Sequence, residues 1–216
     1  MTSSTRGPAI ALMTRVPRLG ETKSRLGAVI GDQAAADLAR AFLLAAAEVL
    51  RSGDWHASLF VELAALTGIE DARPQACADL GARMFGALEA LAADGYGPLI
   101  VTGSDIPTMG VQHFHGTIDA LRDSDVMFGS AEDGGYYLAG MHRPQPSLFG
   151  GGIEWGGTEV LAASERLTAE AGLSVARLGV ERDIDTVADL DWLRGQGEAG
   201  GAVPRNTAAT LAGVAR

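Results

Sequence analysis

Four basic side chains lie close together in one polar loop near the start of the chain. They are Arg15, Arg18, Lys23 and Arg25. A polyphosphate ligand needs fixed cations of this kind, and the neighbouring Gly20 would let the backbone approach such a ligand closely. The spacing of the glycines matches neither a Walker loop nor a Gly-x-Gly-x-x-Gly turn. On composition alone, a phosphate site and a solvated basic loop are equally compatible with this segment.

An aspartate follows the most regular apolar run of the chain. Residues 99–103 predict a buried strand, and Ser104, Asp105 and a proline come soon after it. Hard cations such as Mg²⁺ prefer carboxylate oxygens, and they commonly bind only one or two protein carboxylates together with phosphate oxygens. Asp105 therefore qualifies as a metal ligand. The alternative is that it caps the following turn.

A second acidic segment contains Asp183 and Asp185, directly before a predicted helix at 187–195. Asp185 or Thr186 could cap this helix, with Asp189 in its first turn. In the functional interpretation, Asp185 is the second metal carboxylate and Asp183 is its competitor for that role.

Two further motifs are less specific. Residues 132–137 combine two acids, two glycines and two tyrosines, which predicts either an ordinary Asp-Gly turn or one wall of an acceptor pocket. Gln75 precedes the segment 79–84, where a glycine at a helix start would let a ligand approach the backbone. Plain entry into a helix is the alternative for that segment.

The bulk composition limits the partners. The chain has 216 residues and a formal net charge of −10, so its overall field disfavours nucleic acid and anionic membranes. Cys77 is the only cysteine, which excludes an internal disulfide and a cysteine metal site. No apolar run reaches the roughly 18 residues of a membrane span. We expect a cytoplasmic protein, and the sequence does not decide whether it forms a homodimer.

Strands and helices are predicted to alternate along the chain. Predicted strands are 8–13, 57–63, 99–103, 125–130, 136–141 and 173–178, and predicted helices are 32–51, 79–93, 111–122, 158–171 and 187–195. The alternation is typical of βαβ units, so we predict an α/β fold. It would be a single-domain, three-layer αβα sandwich of Rossmann-like type, with a mostly parallel mixed sheet over residues 1–197. Residues 198–216 are rich in Gly and Ala and predict a weakly ordered tail. Ligands of such sheets bind beyond the carboxyl ends of the strands, so the loops at 15–25 and 103–107 are expected to face one cleft.

Five blocks of the sequence, taken together, resemble the nucleotide-diphospho-sugar transferase superfamily of glycosyltransferase A-type enzymes and nucleotidyltransferases. The blocks are Arg-x-Pro-x-x-Gly-x-x-Lys-Ser-Arg-Leu from residue 15, Gln with Asp-Leu-Gly-x-Arg-Met at 75–84, Gly-x-Asp-x-Pro at 103–107, Glu-Asp-Gly-Gly-Tyr-Tyr at 132–137, and Asp-Ile-Asp-Thr at 183–186. The nearest resemblance is to a bacterial family labelled as glycosyltransferase or selenodomain-associated transferase. The phospholactate guanylyltransferases, which share the Lys-x-Arg-Leu loop, are more distant. Arg15 and Ser24 stand where the family pattern has lysine and threonine.

The resemblance implies a role for each matching residue. The catalytic residues would be Lys23, Arg25 and Asp105. Lys23 and Arg25 would hold the nucleotide phosphates and stabilise the charge that develops at the attacked phosphorus. The rest of the nucleotide site would be Arg15, Gly20, Gln75, Gly81 and Arg83. The acceptor side would be Glu132, Asp133, Gly134, Tyr136 and Trp155. Mg²⁺ or Mn²⁺ would be held by Asp105 and Asp185, with Asp183 as the alternative to Asp185.

Three functions fit these expectations. The first is a nucleotidyltransferase, in which a phosphorylated or phosphonate acceptor attacks the α-phosphate of an NTP and pyrophosphate leaves. The second is a glycosyltransferase that uses a nucleotide-sugar donor. The cationic loop favours the first, because a triphosphate leaving group needs several cations; residues 104–107 also do not form a good Asp-x-Asp motif. The third is a non-catalytic nucleotide-binding protein.

Overall fold

Seven strands and seven helices are present in the computed structural model, which describes residues 5–61, 72–75, 79–150, 152–201 and 203–214. The strands are β1 (Ala9–Thr14), β2 (His56–Val61), β3 (Ala72–Pro74), β4 (Leu99–Thr102), β5 (Val126–Ala131), β6 (Tyr136–Met141) and β7 (Val175–Glu181). The helices are α1 (Ser24–Ile30), α2 (Asp32–Arg51), α3 (Leu80–Ala93), α4 (Val111–Ala120), α5 (Val160–Glu170), α6 (Val187–Glu198) and α7 (Arg205–Gly213), and a 3₁₀ turn covers Pro146–Leu148.

The strands form one sheet in the order β3-β2-β1-β4-β6-β5-β7. Neighbouring strands are parallel, except that β6 runs antiparallel to both β4 and β5. In the interior of the sheet, Ile10 of β1 pairs with Ala57 of β2 and with Ile100 of β4. The predicted mostly parallel mixed sheet is therefore confirmed. The carboxyl ends of β1, β2 and β4 meet at one edge, where ligands of such sheets bind.

The residues of β1 alternate between two apolar layers. Ala11 packs in a core with Leu88 of α3, whereas Ile10 packs in a second core with Leu43 of α2 and Phe114 of α4. Successive strand residues point to opposite faces, so a strand buried on both faces needs helices on both sides of the sheet. All residues of β1 are buried, and the predicted three-layer αβα arrangement is confirmed.

A third apolar cluster joins helices α1, α2, α6 and α7. Leu211 and Val214 pack in it with Leu38 and Phe42 of α2. The segment from residue 198, which we predicted to be weakly ordered, therefore carries a packed helix. Its composition is rich in small residues, but Thr207, Leu211 and Val214 are all buried. Their spacing of four and three places these side chains on one face of a helix.

Near the cleft, the local structure differs from the prediction in two places. Helix α2 spans Asp32–Arg51 as predicted, but its N-cap is Gly31, with a φ of 88°, rather than Asp32. The sequence predicts a loop at 15–25, yet helix α1 begins within it at Ser24. Helix α1 is only seven residues long, which is too short to show a clear apolar period in the sequence.

One strand of the structure has no counterpart among the predicted elements. Strand β3 has three residues, too few for a periodic pattern, so the sequence does not predict it. Cys77 and the last residues of the predicted strand 57–63 lie outside the described residues. Among the helices in the described part of the chain, none is long and apolar enough to cross a membrane.

Candidate active site

A cleft of about 800 Å³ opens at the carboxyl edge of the sheet, beside the ends of β1 and β4. It brings together most of the residues that the sequence identified, from separate segments of the chain. They are Arg15, Lys23, Arg25, Gln75, Arg83, Asp105, Tyr136, Trp155, Asp183 and Asp185. The predicted residues that do not line this cleft are Gly20, Gly81, Glu132, Asp133 and Gly134.

The ammonium group of Lys23 is enclosed by three oxygen atoms. Its Nζ lies 2.7 Å from Asp105 Oδ1 and 3.0 Å from Asp185 Oδ1, and it donates to the carbonyl oxygen of Ile184 at 2.8 Å. These contacts use all three N–H donors of the group, and the side chain is only 4% exposed. We predicted that Lys23 contacts the nucleotide phosphates. In this arrangement its donors are committed instead to two aspartates and a carbonyl.

The backbone of Lys23 lies in the left-handed region, with φ 48° and ψ 50°. A residue with a side chain adopts this conformation at a cost of about 1–3 kcal/mol. Helix α1 begins at the next residue, and Lys23 Nζ lies 5.5 Å from the ring centroid of Phe42 in α2. Burial lowers the pKa of Lys23, but the adjacent carboxylates of Asp105 and Asp185 together raise it by more, so the pKa lies above its ordinary value. The ammonium group therefore stays charged at neutral pH.

Asp105 and Asp185 reach the same place from two different segments. The backbone N–H of Ile184 donates to the carbonyl oxygen of Asp105 at 3.1 Å, which joins the segments directly. Each carboxylate contacts Lys23 through Oδ1, and the side chains of Asp105 and Asp185 are 58% and 50% exposed. Within the described residues, the second oxygen of each carboxylate accepts no hydrogen bond. These oxygens are therefore available to a ligand in the cleft.

The cap of helix α6 leaves the side chain of Asp185 free to face Lys23. Thr186 is the N-cap: its Oγ1 accepts from the backbone N–H of Asp189 at 3.3 Å, and Asp189 Oδ2 accepts from the backbone N–H of Thr186 at 2.8 Å. This reciprocal pair satisfies two N–H groups of the first turn. Of the two candidate caps in the sequence, the structure uses Thr186.

Asp183 lines the same cleft in a crowded acidic environment. Burial raises the pKa of Asp183 to about 7, the carboxylates of Asp133, Asp105 and Asp185 add to the increase, and Lys23 opposes it. The positive charge of Lys23 therefore does not balance the negative charge collected here. A further cation in the cleft would favour the ionised form of Asp183.

The residues present suit a hard divalent cation such as Mg²⁺ or Mn²⁺, because the free oxygens of Asp105 and Asp185 are carboxylate oxygens. Burial is the main cause of the raised pKa of Asp183 beside them, and the neighbouring carboxylates add to it. Across the described ranges, no group of three or more His, Cys, Asp or Glu side chains is arranged to hold a metal ion. A cation at Asp105 and Asp185 would need phosphate or water oxygens to complete its coordination, as Mg²⁺ sites commonly do.

Two arginines present their guanidinium groups at the cleft. Arg15 and Arg25 line it and are exposed. In the part of the chain that the structure describes, neither side chain makes an ion pair or a hydrogen bond. Planar guanidinium groups bind phosphate oxygens in pairs, so these two side chains suit a polyphosphate better than Lys23 does in this arrangement.

Gln75 anchors one end of the cleft to the sheet. Its Nε2 donates to the carbonyl oxygens of Thr14 and Phe60, each at 2.8 Å, at the ends of β1 and β2. Its Oε1 accepts from Arg83 Nη1 at 3.4 Å. The amide orientation is thus determined by the sheet, and Arg83 is partly oriented by Gln75.

Two glycines that we predicted in the nucleotide site have local structural reasons to be glycine. A Cβ on Gly81 would lie 2.5 Å from Trp155 Cζ2 and 2.6 Å from the carbonyl oxygen of Phe149. The bare backbone of Gly81 therefore admits the indole of Trp155. Gly20 has a φ of 76°, a conformation that glycine adopts without strain.

The loop between β5 and β6, predicted on the acceptor side, is held largely by its own contacts. Glu132 Oε2 accepts from Arg182 Nε at 2.6 Å. Asp133 Oδ1 accepts from the backbone N–H two residues on at 2.9 Å. A Cβ on Gly134 would collide with the carbonyl oxygen of Thr158. Glu132 and Gly134 therefore shape the loop in this structure.

Tyr136 borders the cleft, but its hydroxyl group faces the core. Burial raises the pKa of the Tyr136 hydroxyl, and a hydrogen bond with Ser164 of α5 opposes the increase. The ring packs against Phe128, with centroids 5.0 Å apart. Any contact of Tyr136 with a ligand would involve the ring rather than the hydroxyl. Trp155 lines the cleft as well.

The sequence analysis did not identify Glu181, which ties the Asp105 loop to β7. Glu181 Oε1 accepts from His113 Nε2 at 3.0 Å, and Glu181 Oε2 accepts from Thr108 Oγ1 at 3.2 Å. His113 Nδ1 lies 3.0 Å from the backbone nitrogen and 3.1 Å from the carbonyl oxygen of Gly110. These partners lie 68 and 73 positions from Glu181, so no local pattern marks them.

Several solved structures share this architecture. The crystal structure of a "putative nucleotide-diphospho-sugar transferase" from Desulfovibrio desulfuricans G20 matches with a TM-score of 0.84 and 30% identity, over 95% of this chain and 97% of that one. The 4-diphosphocytidyl-2C-methyl-D-erythritolsynthase from Anaerococcus prevotii DSM 20548 matches with a TM-score of 0.56 and 11% identity, over 88% and 98%. The manganese complex of Rv0371C from Mycobacterium tuberculosis H37Rv matches with a TM-score of 0.50 and 17% identity, over 87% and 97%. The last two show the shared fold.

The chain belongs to the family described as "Uncharacterized protein conserved in bacteria (DUF2064)", whose model matches residues 32–157. A comparison with curated proteins found no match. The resemblance to the nucleotide-diphospho-sugar transferase superfamily, drawn from five sequence blocks, is therefore confirmed together with its fold.

Proposed function

We propose that the protein is a metal-dependent nucleotidyltransferase that joins the nucleotide of an NTP to a small phosphorylated or phosphonate acceptor. One observation carries the proposal: the carboxylates of Asp105 and Asp185 share a cleft with the guanidinium groups of Arg15 and Arg25, which have no ion-pair or hydrogen-bond partner among the described residues. A triphosphate needs both features, because a carboxylate-held cation and several fixed positive charges must neutralise it.

The chemistry is a displacement at the α-phosphorus of the NTP. An acceptor oxygen forms a new bond to that phosphorus, while the bond to the oxygen that bridges to the β-phosphate breaks. Pyrophosphate leaves with that electron pair. The protein has little covalent chemistry to perform, so its contribution is to orient the two substrates and to stabilise negative charge.

Each cleft residue has a role in this proposal. Arg15 and Arg25 bind the β- and γ-phosphate oxygens and stabilise the departing pyrophosphate. Asp105 and Asp185 would hold Mg²⁺ or Mn²⁺, with Asp183 as the alternative to Asp185. A bound ion of this kind would supply positive charge that neutralises the phosphate oxygens.

The acceptor is assigned to the wall that contains Trp155 and the ring of Tyr136, the predicted acceptor residues that line the cleft. Gln75, held to the ends of two strands, is assigned to the side of the nucleotide base. Glu132 and Gly134 support this assignment only indirectly, by shaping the loop beside the wall.

Glycosyl transfer from a nucleotide sugar is the second candidate, and the name of the Desulfovibrio relative favours it. The same carboxylates would then hold the metal on a diphosphate, and the sugar would lie at the wall of Trp155. A diphosphate carries less charge than a triphosphate, so the two exposed guanidinium groups of Arg15 and Arg25 in the cleft favour nucleotidyl transfer.

Pyrophosphate release distinguishes the two candidates. The purified protein is mixed with Mg²⁺, each NTP in turn, and a panel of phosphorylated and phosphonate acceptors. Release of pyrophosphate that depends on both substrates is the expected result. Conversion of a nucleotide sugar to free nucleoside diphosphate, without pyrophosphate, would select glycosyl transfer. If no nucleotide or nucleotide sugar raises the melting temperature with or without Mg²⁺, both candidates are contradicted.

A further inference from the structure

Lys23 is the only lysine among the 17 basic residues of the chain. All the others are arginine, including those that line the rest of the cleft. A guanidinium group is planar and presents its donors in a flat fork, whereas an ammonium group directs three donors from one point. The three oxygens around Lys23 Nζ, from Asp105, Asp185 and Ile184, match the second geometry. This position therefore demands a compact cation.

We propose that Lys23 is the internal cation of the site: in the nucleotide-free protein its ammonium group occupies the position between Asp105 and Asp185 and competes with a divalent metal for them. The inference rests on the proposed function only in taking these two aspartates as the metal carboxylates. In this proposal Lys23 is a positioning residue, which holds Asp105 and Asp185 together until a metal ion binds.

The location of the charge carries the inference. Lys23 Nζ lies within 3.0 Å of one oxygen from each aspartate, so it holds the place that a cation shared by both side chains would take. A metal could use the second oxygens of Asp105 and Asp185, but it would then lie close to a buried ammonium group. Like charges at such short range repel strongly where solvent is limited. Metal binding is therefore favoured when Lys23 leaves.

The energetic cost of this arrangement also points to a function. Lys23 is strained in its backbone, with φ 48°, and its charged side chain is almost completely removed from water. The strained backbone is unfavourable unless the surroundings enforce it. Burial of the charge is unfavourable unless it is paired, so it depends on Asp105, Asp185 and the carbonyl oxygen of Ile184. If Lys23 left Asp105 and Asp185, its ammonium group would regain hydration. An anionic ligand bound at the exposed Arg15 and Arg25 of the same cleft would also attract the ammonium group. Metal and nucleotide should consequently bind better together than either does alone.

Manganese binding to the nucleotide-free protein tests the competition. Free Mn²⁺ is measured by electron paramagnetic resonance during titration of the wild type, Lys23→Met, and Arg18→Met. Lys23→Met should bind Mn²⁺ at least about tenfold more tightly, because it removes the competing charge but keeps the length of the side chain. Arg18→Met removes one positive charge from the same loop, at a position where Glu21 is the one ion-pair partner among the described residues, so its Mn²⁺ affinity should stay close to that of the wild type.

A second substitution locates the effect. The double variant Lys23→Met with Asp105→Asn should lose the gain in Mn²⁺ affinity. Unchanged or weaker Mn²⁺ binding by Lys23→Met overturns the proposal, and so does equal strengthening in Arg18→Met. No step of this test uses an NTP or an acceptor. A tenfold gain in a protein that releases no pyrophosphate would support the competition while contradicting nucleotidyl transfer.

The wild type provides an independent measurement, because an amine-reactive reagent can modify only Lys23 and the α-amino group. Peptide mass spectrometry follows the extent of acetylation at each amine over time. Lys23 should react slowly in the metal-free protein and several-fold faster at saturating Mn²⁺, with the α-amino group as the internal reference. Asp105→Asn should also accelerate the reaction of Lys23. A Lys23 labelling rate that Mn²⁺ leaves unchanged overturns the proposal.

Discussion

The backbone N–H of Ile184 donates a hydrogen bond of 3.1 Å to the carbonyl oxygen of Asp105. This bond joins the loop after β4 to the segment between β7 and α6, and each segment contributes one carboxylate to Lys23. The geometry of the acidic pair is therefore set by main-chain contacts and does not depend on the two side chains alone. Asp105 and Asp185 are therefore already positioned next to each other before a ligand that contacts both of them binds.

Asp105→Asn is expected to abolish metal-dependent nucleotide binding, because it keeps the size of the side chain and removes one of the two carboxylate charges. In a thermal-shift measurement, the increase in Tm caused by Mg²⁺ with a nucleotide should fall close to zero. Asp119→Asn, at an exposed position of α4 where Arg122 is the one ion-pair partner among the described residues, should keep the full increase. A normal metal-dependent shift in Asp105→Asn would remove Asp105 from the metal site.

Glu181→Ala is expected to lower the free energy of unfolding by about 1–3 kcal/mol, because it leaves the donors of His113 and Thr108 without their acceptor. The loop that carries Asp105 should also loosen, so Mn²⁺ affinity should fall. Urea denaturation and Mn²⁺ titration measure the two effects.

Glu181→Gln separates positioning from stability. The amide keeps one oxygen acceptor, so this variant should recover part of the stability and part of the Mn²⁺ affinity. A loss of stability in Glu181→Ala with unchanged Mn²⁺ affinity would show that Glu181 supports the fold without orienting Asp105.

The sequence predicts the strands and helices around the cleft well, because local patterns of apolar residues determine them. Leu99, Ile100 and Val101 form an apolar run, and every residue of β4 is buried. Helix α2 covers the predicted residues Asp32–Arg51. Strand ends and helix starts follow from such patterns. The positions of Asp105 and of the basic loop at the carboxyl edge follow in turn from the parallel sheet.

The contacts of individual side chains could not be predicted in the same way. Lys23 stands in a cationic loop, which indicates a phosphate ligand, but its partner Asp185 is 162 positions away. The role of Gly81 depends on Trp155, which arrives from a distant loop. Helix α7 was missed because its buried face consists of few large residues. Each of these contacts is decided by tertiary packing, which a local pattern does not contain.

Two glycines in α3 provide a matched pair. Gly81→Ala is expected to destabilise the protein, because the new Cβ meets Trp155 and the carbonyl oxygen of Phe149. The indole must move, so the tryptophan fluorescence of the native state should change. Gly86→Ala, where a Cβ meets nothing within 4 Å, should stabilise the protein by about 0.5–1 kcal/mol through helix propensity. Equal effects of the two substitutions in urea denaturation would contradict the packing of Trp155 on Gly81.

Ionisation of Asp183 is expected to lower the free energy of unfolding as the pH rises. Its pKa is about 7 in the folded protein and 3.8 in the reference state, so between these values the folded state binds more protons than the unfolded state. The free energy of unfolding therefore decreases from about pH 4 to about pH 7 and then levels off.

Asp183→Asn resembles the protonated form at every pH and should remove this dependence. In EDTA, the variant should match the wild type near pH 4.5 and exceed its stability near pH 8, by on the order of 1–2 kcal/mol after allowance for partial exposure. Urea denaturation at the two pH values measures the difference. A variant that is less stable than the wild type at pH 8 would show that the ionised carboxylate is stabilised in the fold.

Leu211→Ala tests the packing of helix α7 against α2. Leu211 is buried in the cluster that contains Phe42, and removing a buried leucine side chain costs about 2–3 kcal/mol at a site of this kind. Leu44→Ala is the matched control, because Leu44 lies on α2 with 47% of its surface exposed; its effect should stay within about 0.5 kcal/mol. Phe42 also lies against Lys23, so Leu211→Ala should slightly loosen the ammonium group and increase its rate of acetylation. Equal free energies of unfolding for the two variants would mean that the C-terminal helix does not pack on the domain in solution.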